Sequence, residues 1–189
     1  YVIGGIGGVG LQGEANNEVW SSSNGGKSWE RRVHPEDTHL QTWHSYKAKG
    51  QASQGFSPRL LHAAVAIGYD GAGNHELLVI GGKEGLDDET ITDAAVAGGG
   101  AARYGDCIGD VGSSHDMGAT WKCICSGAQF LPGPRCAHAV VVGIAPEPTE
   151  KNPNPHPPIF VLGGMDNDEN DLEDVWVSHD RGVTWQDVY

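Results

Sequence analysis

The stretch Ser178-His179-Asp180-Arg181-Gly182-Val183-Thr184-Trp185 decides the fold. It recurs as Ser114-His115-Asp116-Met117-Gly118-Ala119-Thr120-Trp121, with Ser, Asp, Gly, Thr and Trp at the same places. A looser copy starts at Ser22 and keeps Gly26 and Trp29, with Asn24 for the Asp and Ser28 for the Thr. Each residue type has a job in a tight turn. Asp or Asn accepts hydrogen bonds from nearby backbone N–H groups, and Gly takes the φ > 0 position at no steric cost. Trp then lays a large apolar face over the hairpin.

Working outward, three pieces recur in fixed order. An apolar run ends in a glycine pair at Val2-Ile3-Gly4-Gly5, Leu77-Leu78-Val79-Ile80-Gly81-Gly82 and Ile159-Phe160-Val161-Leu162-Gly163-Gly164. A strand then leads into the turn and its tryptophan, over residues 19–29, 111–121 and 175–185. Pro58-Arg59-Leu60-Leu61-His62-Ala63 and Pro134-Arg135-Cys136-Ala137-His138-Ala139 open further apolar runs. Each unit thus reads as four short strands, a to d. Runs of about five residues bounded by Gly, Asn, Asp and Pro suit an antiparallel meander. The pattern predicts an all-β chain, with strands b–d of one unit over 1–33 and full units over 59–125 and 135–189.

The eight-residue turns resemble the Asp-box of sialidases and many other propellers. The glycine pair with a later aromatic, Trp20 and Trp176, resembles kelch repeats; the middle unit departs with Gly112, which predicts looser packing there. The resemblance implies a β-propeller: blades of four-stranded antiparallel sheets, about three in this chain, residues 1–189 forming part of one domain. Such units bury their faces only by stacking, and a ring takes at least about four blades. Other blades or subunits are therefore expected to close it. The resemblance also implies that Ser22, Asn24, Gly26, Trp29, Ser114, Asp116, Gly118, Trp121, Ser178, Asp180, Gly182 and Trp185 are structural and catalytically silent. It identifies a fold, not an activity.

Charge narrows the partners. Asp and Glu number 25 against 12 Lys and Arg, a net −13, which repels nucleic acid and anionic lipid. No run approaches the ~20 apolar residues of a membrane span, so no membrane insertion is expected. The chain opens inside an apolar run, Tyr1-Val2-Ile3, without an initiator Met, and reads as a mature or excerpted segment.

Cys107, Cys123, Cys125 and Cys136 lack the spacing of a zinc ribbon or a redox Cys-x-x-Cys. Cys107 on strand c and Cys125 on strand d are expected to face each other across a hairpin, leaving Cys123 with Cys136. Two such bridges would place the protein outside the cell or in the secretory pathway. Four free thiols in a cytoplasmic protein are the alternative, and no Asn-x-Ser/Thr sequon supports secretion.

No catalytic set converges. Arg59, His62, Arg135 and His138 recur at one place in each unit, which points to a repeated structural job between blades; facing a partner is the other reading. Asp166, Asp168 and Asn170 place oxygens at alternating positions, as a calcium loop does. The central Gly is missing and Val177 stands where an EF-hand has its bidentate Glu, so a solvated acidic loop is expected, with no metal and no cofactor. Loops 34–58 and 83–104 are long and fall on one face, where kelch propellers commonly receive a partner. The insertion 146–158 holds six of the ten prolines and reads as a stiff extended arm. The expected function is a non-enzymatic binding or scaffold module for a protein or glycan. A segment of a sialidase-like hydrolase with its catalytic residues elsewhere, or a cytosolic kelch-type adaptor, are the alternatives.

Overall fold

In the computed structural model, the residues described are 1–7, 14–33, 55–69, 75–85, 104–151 and 155–188. Fourteen strands form among these residues, the most apolar of them leading into glycine pairs. They are β1 (Val2–Gly7), β2 (Glu14–Ser21), β3 (Glu30–Val33), β4 (Arg59–Leu60), β5 (Ala63–Tyr69), β6 (His75–Ile80) and β7 (Lys83–Gly85). After them come β8 (Tyr104–Cys107), β9 (Asp110–Ser114), β10 (Lys122–Ser126), β11 (Ala139–Val142), β12 (Ile159–Leu162), β13 (Val175–Ser178) and β14 (Gln186–Asp187).

All pairings are antiparallel, in one six-stranded and two four-stranded sheets. The second sheet runs β10-β9-β6-β5 and the third β11-β12-β13-β14. In the first, β2 is paired by β1 and β3 and extended through β4, β7 and β8. Part of the expected loop 83–104 is therefore strand: Lys83 and Gly85 of β7 pair with Cys107 and Tyr104 of β8. Residues 86–103 and 34–54 lie outside the described set. So do 152–154 of the proline-rich insertion, whose described residues form no regular element.

The core follows from strand periodicity. Successive side chains point to opposite faces, so an all-apolar strand can be buried on both. The Leu77–Ile80 run of β6 does this: Leu77 and Val79 join Val19, Phe56 and Trp121 between the first and second sheets. Leu78 and Ile80 join Val111, Phe130, Ile159, Val161 and Trp185 between the second and third. Each such side chain contributes about 1.5–3 kcal/mol by leaving water. The looser packing expected at Gly112 is not found. All five residues of β9 are buried, because β9 lies between β6 and β10.

The three eight-residue turns close alike. Ser114 Oγ accepts from Gly118 N at 2.9 Å and donates to Asp116 Oδ1 at 2.9 Å. Thr120 donates to Asp116 through its backbone N (2.8 Å) and its hydroxyl (2.6 Å), and Trp121 Nε1 donates to the Gly118 carbonyl (3.1 Å). Ser178, Asp180, Gly182, Thr184 and Trp185 repeat every one of these bonds. Ser22, Asn24, Gly26, Ser28 and Trp29 repeat the pattern in amide form. Gly26, Gly118 and Gly182 all have φ between +83° and +88°. Burial pushes Asp116 and Asp180 up, but their threonine and serine hydrogen bonds outweigh it and hold both carboxyls below their usual range.

Candidate functional site

The recurrent Pro-Arg-x-x-His segment forms the densest polar constellation. Arg59 Nη1 donates to Asp110 Oδ1 at 2.7 Å and to the Gly81 carbonyl at 3.0 Å; Nη2 donates to Asp110 Oδ2 at 3.2 Å. Arg135 repeats this on Asp174, at 2.7 and 2.8 Å, and on the Gly163 carbonyl at 2.9 Å. Each bidentate fork ties the start of a unit to its third main strand and glycine pair. The Arg135 hydrogen bond, more than any other contact, holds Asp174 below the usual carboxylate range. Arg59 and Arg135 are among the most deeply buried side chains, and His138 is buried with them. As partner-facing candidates, Arg59, Arg135 and His138 are therefore corrected: their donors are turned inward. His62 is partly buried.

The histidines wedge between glycine pairs. His62 Nε2 donates to the Ile3 carbonyl at 2.9 Å, an assignment that leaves Nδ1 as the acceptor nitrogen. A Cβ on Gly4 would lie 2.9 Å from the His62 ring, and one on Gly82 only 2.6 Å from His62 Cβ. His138 sits equivalently, with a Cβ on Gly81 2.9 Å from its ring and one on Gly164 2.8 Å from its Cβ. Its ring lies by the Ile80 carbonyl but makes no hydrogen bond of good geometry. Burial and then the neighbouring arginine push each imidazole down to about 4, so both rings are neutral at pH 7.

The acid partners were missed in the sequence, although a signal existed. Glu18, Asp110 and Asp174 stand at one place in the repeat, just before Val19, Val111 and Val175. The first unit differs. Glu18 is paired with Arg31 from the neighbouring β3 and accepts from Trp20 Nε1 at 2.9 Å, as Asp174 accepts from Trp176 Nε1 at 2.6 Å.

A second cluster joins units at Glu76. Its carboxylate accepts from Arg181 and from Ser113 Oγ (3.1 Å) and lies 3.5 Å from His115 Nε2. Ser113 Oγ also meets His115 Nε2, at 3.3 Å. Serine and carboxylate share one ring nitrogen, whereas a nucleophile relay needs them on opposite nitrogens.

All four cysteines are free, which corrects the expected Cys107–Cys125 and Cys123–Cys136 bridges. Cys107 lies on β8, not on the strand that pairs with β10, and its Sγ approaches the Met165 carbonyl at 3.7 Å. Cys136 N donates to that same carbonyl at 3.0 Å, so Cys107 neighbours Cys136 and not Cys125. Burial, then the hydrogen bond and charge of Cys136, push Cys107 up to about 12.

The acidic loop closes on itself. Asp166 Oδ1 accepts from the backbone N of Asp168 and of Asn170, each at 2.9 Å, and Asn170 Nδ2 donates to Oδ2 at 3.0 Å. Asn170 thereby holds Asp166 below its usual range. Among the described residues no group of three or more His, Cys, Asp or Glu is placed to hold a metal. None of their helices is long and apolar enough to cross a membrane.

The described fold and site define an all-β chain of repeated antiparallel sheet units locked by buried Arg–Asp forks. No family model matches the chain, and no curated protein matches it.

Proposed function

We propose that this chain is part of a β-propeller of kelch-like repeats with Asp-box turns, acting as a non-enzymatic binding or scaffold module for a protein or glycan. The stacking of three repeated sheets through β6, β9 and β12 supports the propeller reading. One observation carries the functional reading. The recurrent arginines, which a glycan hydrolase would aim at a substrate carboxylate, are spent on Asp110 and Asp174 inside the fold. Further blades or subunits complete the ring. The four unbridged thiols favour an adaptor in a reducing compartment over a secreted protein.

The test incubates the protein with a panel of 4-methylumbelliferyl glycosides, a sialoside included, and probes a printed glycan array in parallel. Saturable binding without turnover supports the module. Turnover that a single point substitution abolishes would overturn it.

A further inference from the structure

The turn of the first unit carries Asn24-Gly25 where the other two carry Asp116-Met117 and Asp180-Arg181. The side-chain amide of an asparagine can be attacked by the backbone nitrogen of the next residue. A glycine there hinders the attack least, because it has no Cβ. Gly25 N has no hydrogen-bond partner among the described residues, and neither do the equivalent nitrogens of Met117 and Arg181. The groups around the Asn24 amide suit the same reaction. Its Oδ1 accepts from Ser22 Oγ and from Ser28 N, each at 3.0 Å, two donors placed where negative charge gathers as the carbonyl is attacked. Its Nδ2, the leaving nitrogen, lies 2.8 Å from Ser28 Oγ, a hydroxyl able to hand it a proton. Water reaches this side of the turn whatever adjoins it. In the two turns packed over a preceding unit, Thr120 and Thr184 are exposed, and Asp116 and Asp180 are only partly buried. The product fits as well. Thr120 and Thr184 donate their hydroxyls to the second carboxylate oxygen of Asp116 and Asp180, at 2.6 Å. With an oxygen in place of Nδ2, the Ser28 hydroxyl turns from acceptor to donor and residue 24 gains that same bond.

We propose that Asn24-Gly25 is a self-modifying site, at which the turn converts its own asparagine to aspartate. Gly25 N gives up its proton to solvent and bonds to Asn24 Cγ. The Cγ–Nδ2 bond then breaks, and ammonia leaves with a proton relayed by Ser28 Oγ. Water opens the resulting five-membered imide. Breaking the bond between Gly25 N and Cγ restores the main chain with an aspartate at residue 24. Opening at the other carbonyl leaves an isoaspartyl link, whose extra main-chain carbon displaces the turn. The overall change is asparagine plus water to aspartate plus ammonia, and water is the only co-reactant. The inference is independent of the binding or scaffold reading.

The test incubates the folded protein in buffer at pH 8 and follows residue 24 by peptide mass mapping. A synthetic peptide of residues 20–29 is run beside it. The mass gain of amide to carboxyl is expected at residue 24, at least as fast in the protein as in the peptide. Ser28→Ala should slow it severalfold, whereas Ser28→Thr, which keeps a hydroxyl as Thr120 does, should retain the rate. Asn24→Asp, made directly, should melt no lower than the unmodified protein. A slower gain in the protein than in the peptide means that the turn blocks the reaction, and overturns the proposal. So does a Ser28→Ala variant that reacts at the unmodified rate, or loss of the rate in Ser28→Ala and Ser28→Thr alike. A lowered melting temperature in Asn24→Asp would show that the turn rejects the product and overturns it too.

Discussion

Arg59 and Asp110, 51 residues apart in sequence, meet in a bidentate ion pair with neither side chain exposed to solvent. A buried pair of this kind is weak evidence for net stability, but breaking it leaves one charge stranded in the interior. Asp110→Ala should therefore cost about 3–5 kcal/mol, read as a lowered midpoint in urea unfolding. Removing both partners as Arg59→Met with Asp110→Leu should cost less than Asp110→Ala alone. A smaller loss for Asp110→Ala than for the double variant would contradict the reading. Glu18→Ala, at the partly exposed pair of the first unit, should cost no more than about 1 kcal/mol.

The three turn tryptophans make the same hydrogen bond but have different neighbours. Trp121 and Trp185 are each 2% exposed, packed edge-on against Phe56 and Phe130, whereas Trp29 is 45% exposed. Trp121→Ala and Trp185→Ala should each cost about 3–5 kcal/mol, and Trp29→Ala within about 1 kcal/mol. In acrylamide quenching, Trp29→Phe should remove much of the accessible fluorescence. Equal quenching before and after that substitution would show that Trp29 is covered.

His62 and His138 set the response to acid. Each pKa falls from 6.5 unfolded to about 4 folded, chiefly through burial and then through Arg59 and Arg135 respectively. The unfolded chain binds more protons than the folded one between those values. Stability is then complete above pH 6.5 and falls as the pH is lowered towards 4, by on the order of 3 kcal/mol per ring. Below that, Asp116, Asp174 and Asp180 add their own loss, since their lowered carboxyls must be protonated. Thermal melts from pH 7.5 to 4 should show the slope, and His138→Gln should flatten it. A wild-type slope in that variant would remove His138 from the account.

The thiols should be inert in the folded state. Burial first of all pushes Cys107 to about 12 and Cys125 to about 11 and raises Cys123 as well, which depletes the reactive thiolate at neutral pH. Iodoacetamide at pH 7.5 should label these three at least about tenfold more slowly before than after denaturation, by peptide mass mapping. Rapid labelling of Cys107 in native protein would refute its placement beside Cys136.

The sequence by itself determined the turns and the all-β character of the chain, because these depend on contacts a few residues apart. Asp116 reaches Thr120, and Ser114 reaches Gly118, wherever the hairpin lies. The recurrence of Arg59 and Arg135 was equally legible, and so was a structural role for them. What only the tertiary structure decided is which groups meet across long separations. Arg59 with Asp110, Cys107 beside Cys136, and Glu76 with Arg181 depend on how sheets stack, and local pattern carries no record of that. The extension of the first sheet by β4, β7 and β8 was hidden for the same reason. Lys83-Glu84-Gly85 has no apolar alternation, so its strand exists through backbone pairing with Arg59 and Leu60, and side-chain pattern cannot announce a strand held by main-chain bonds.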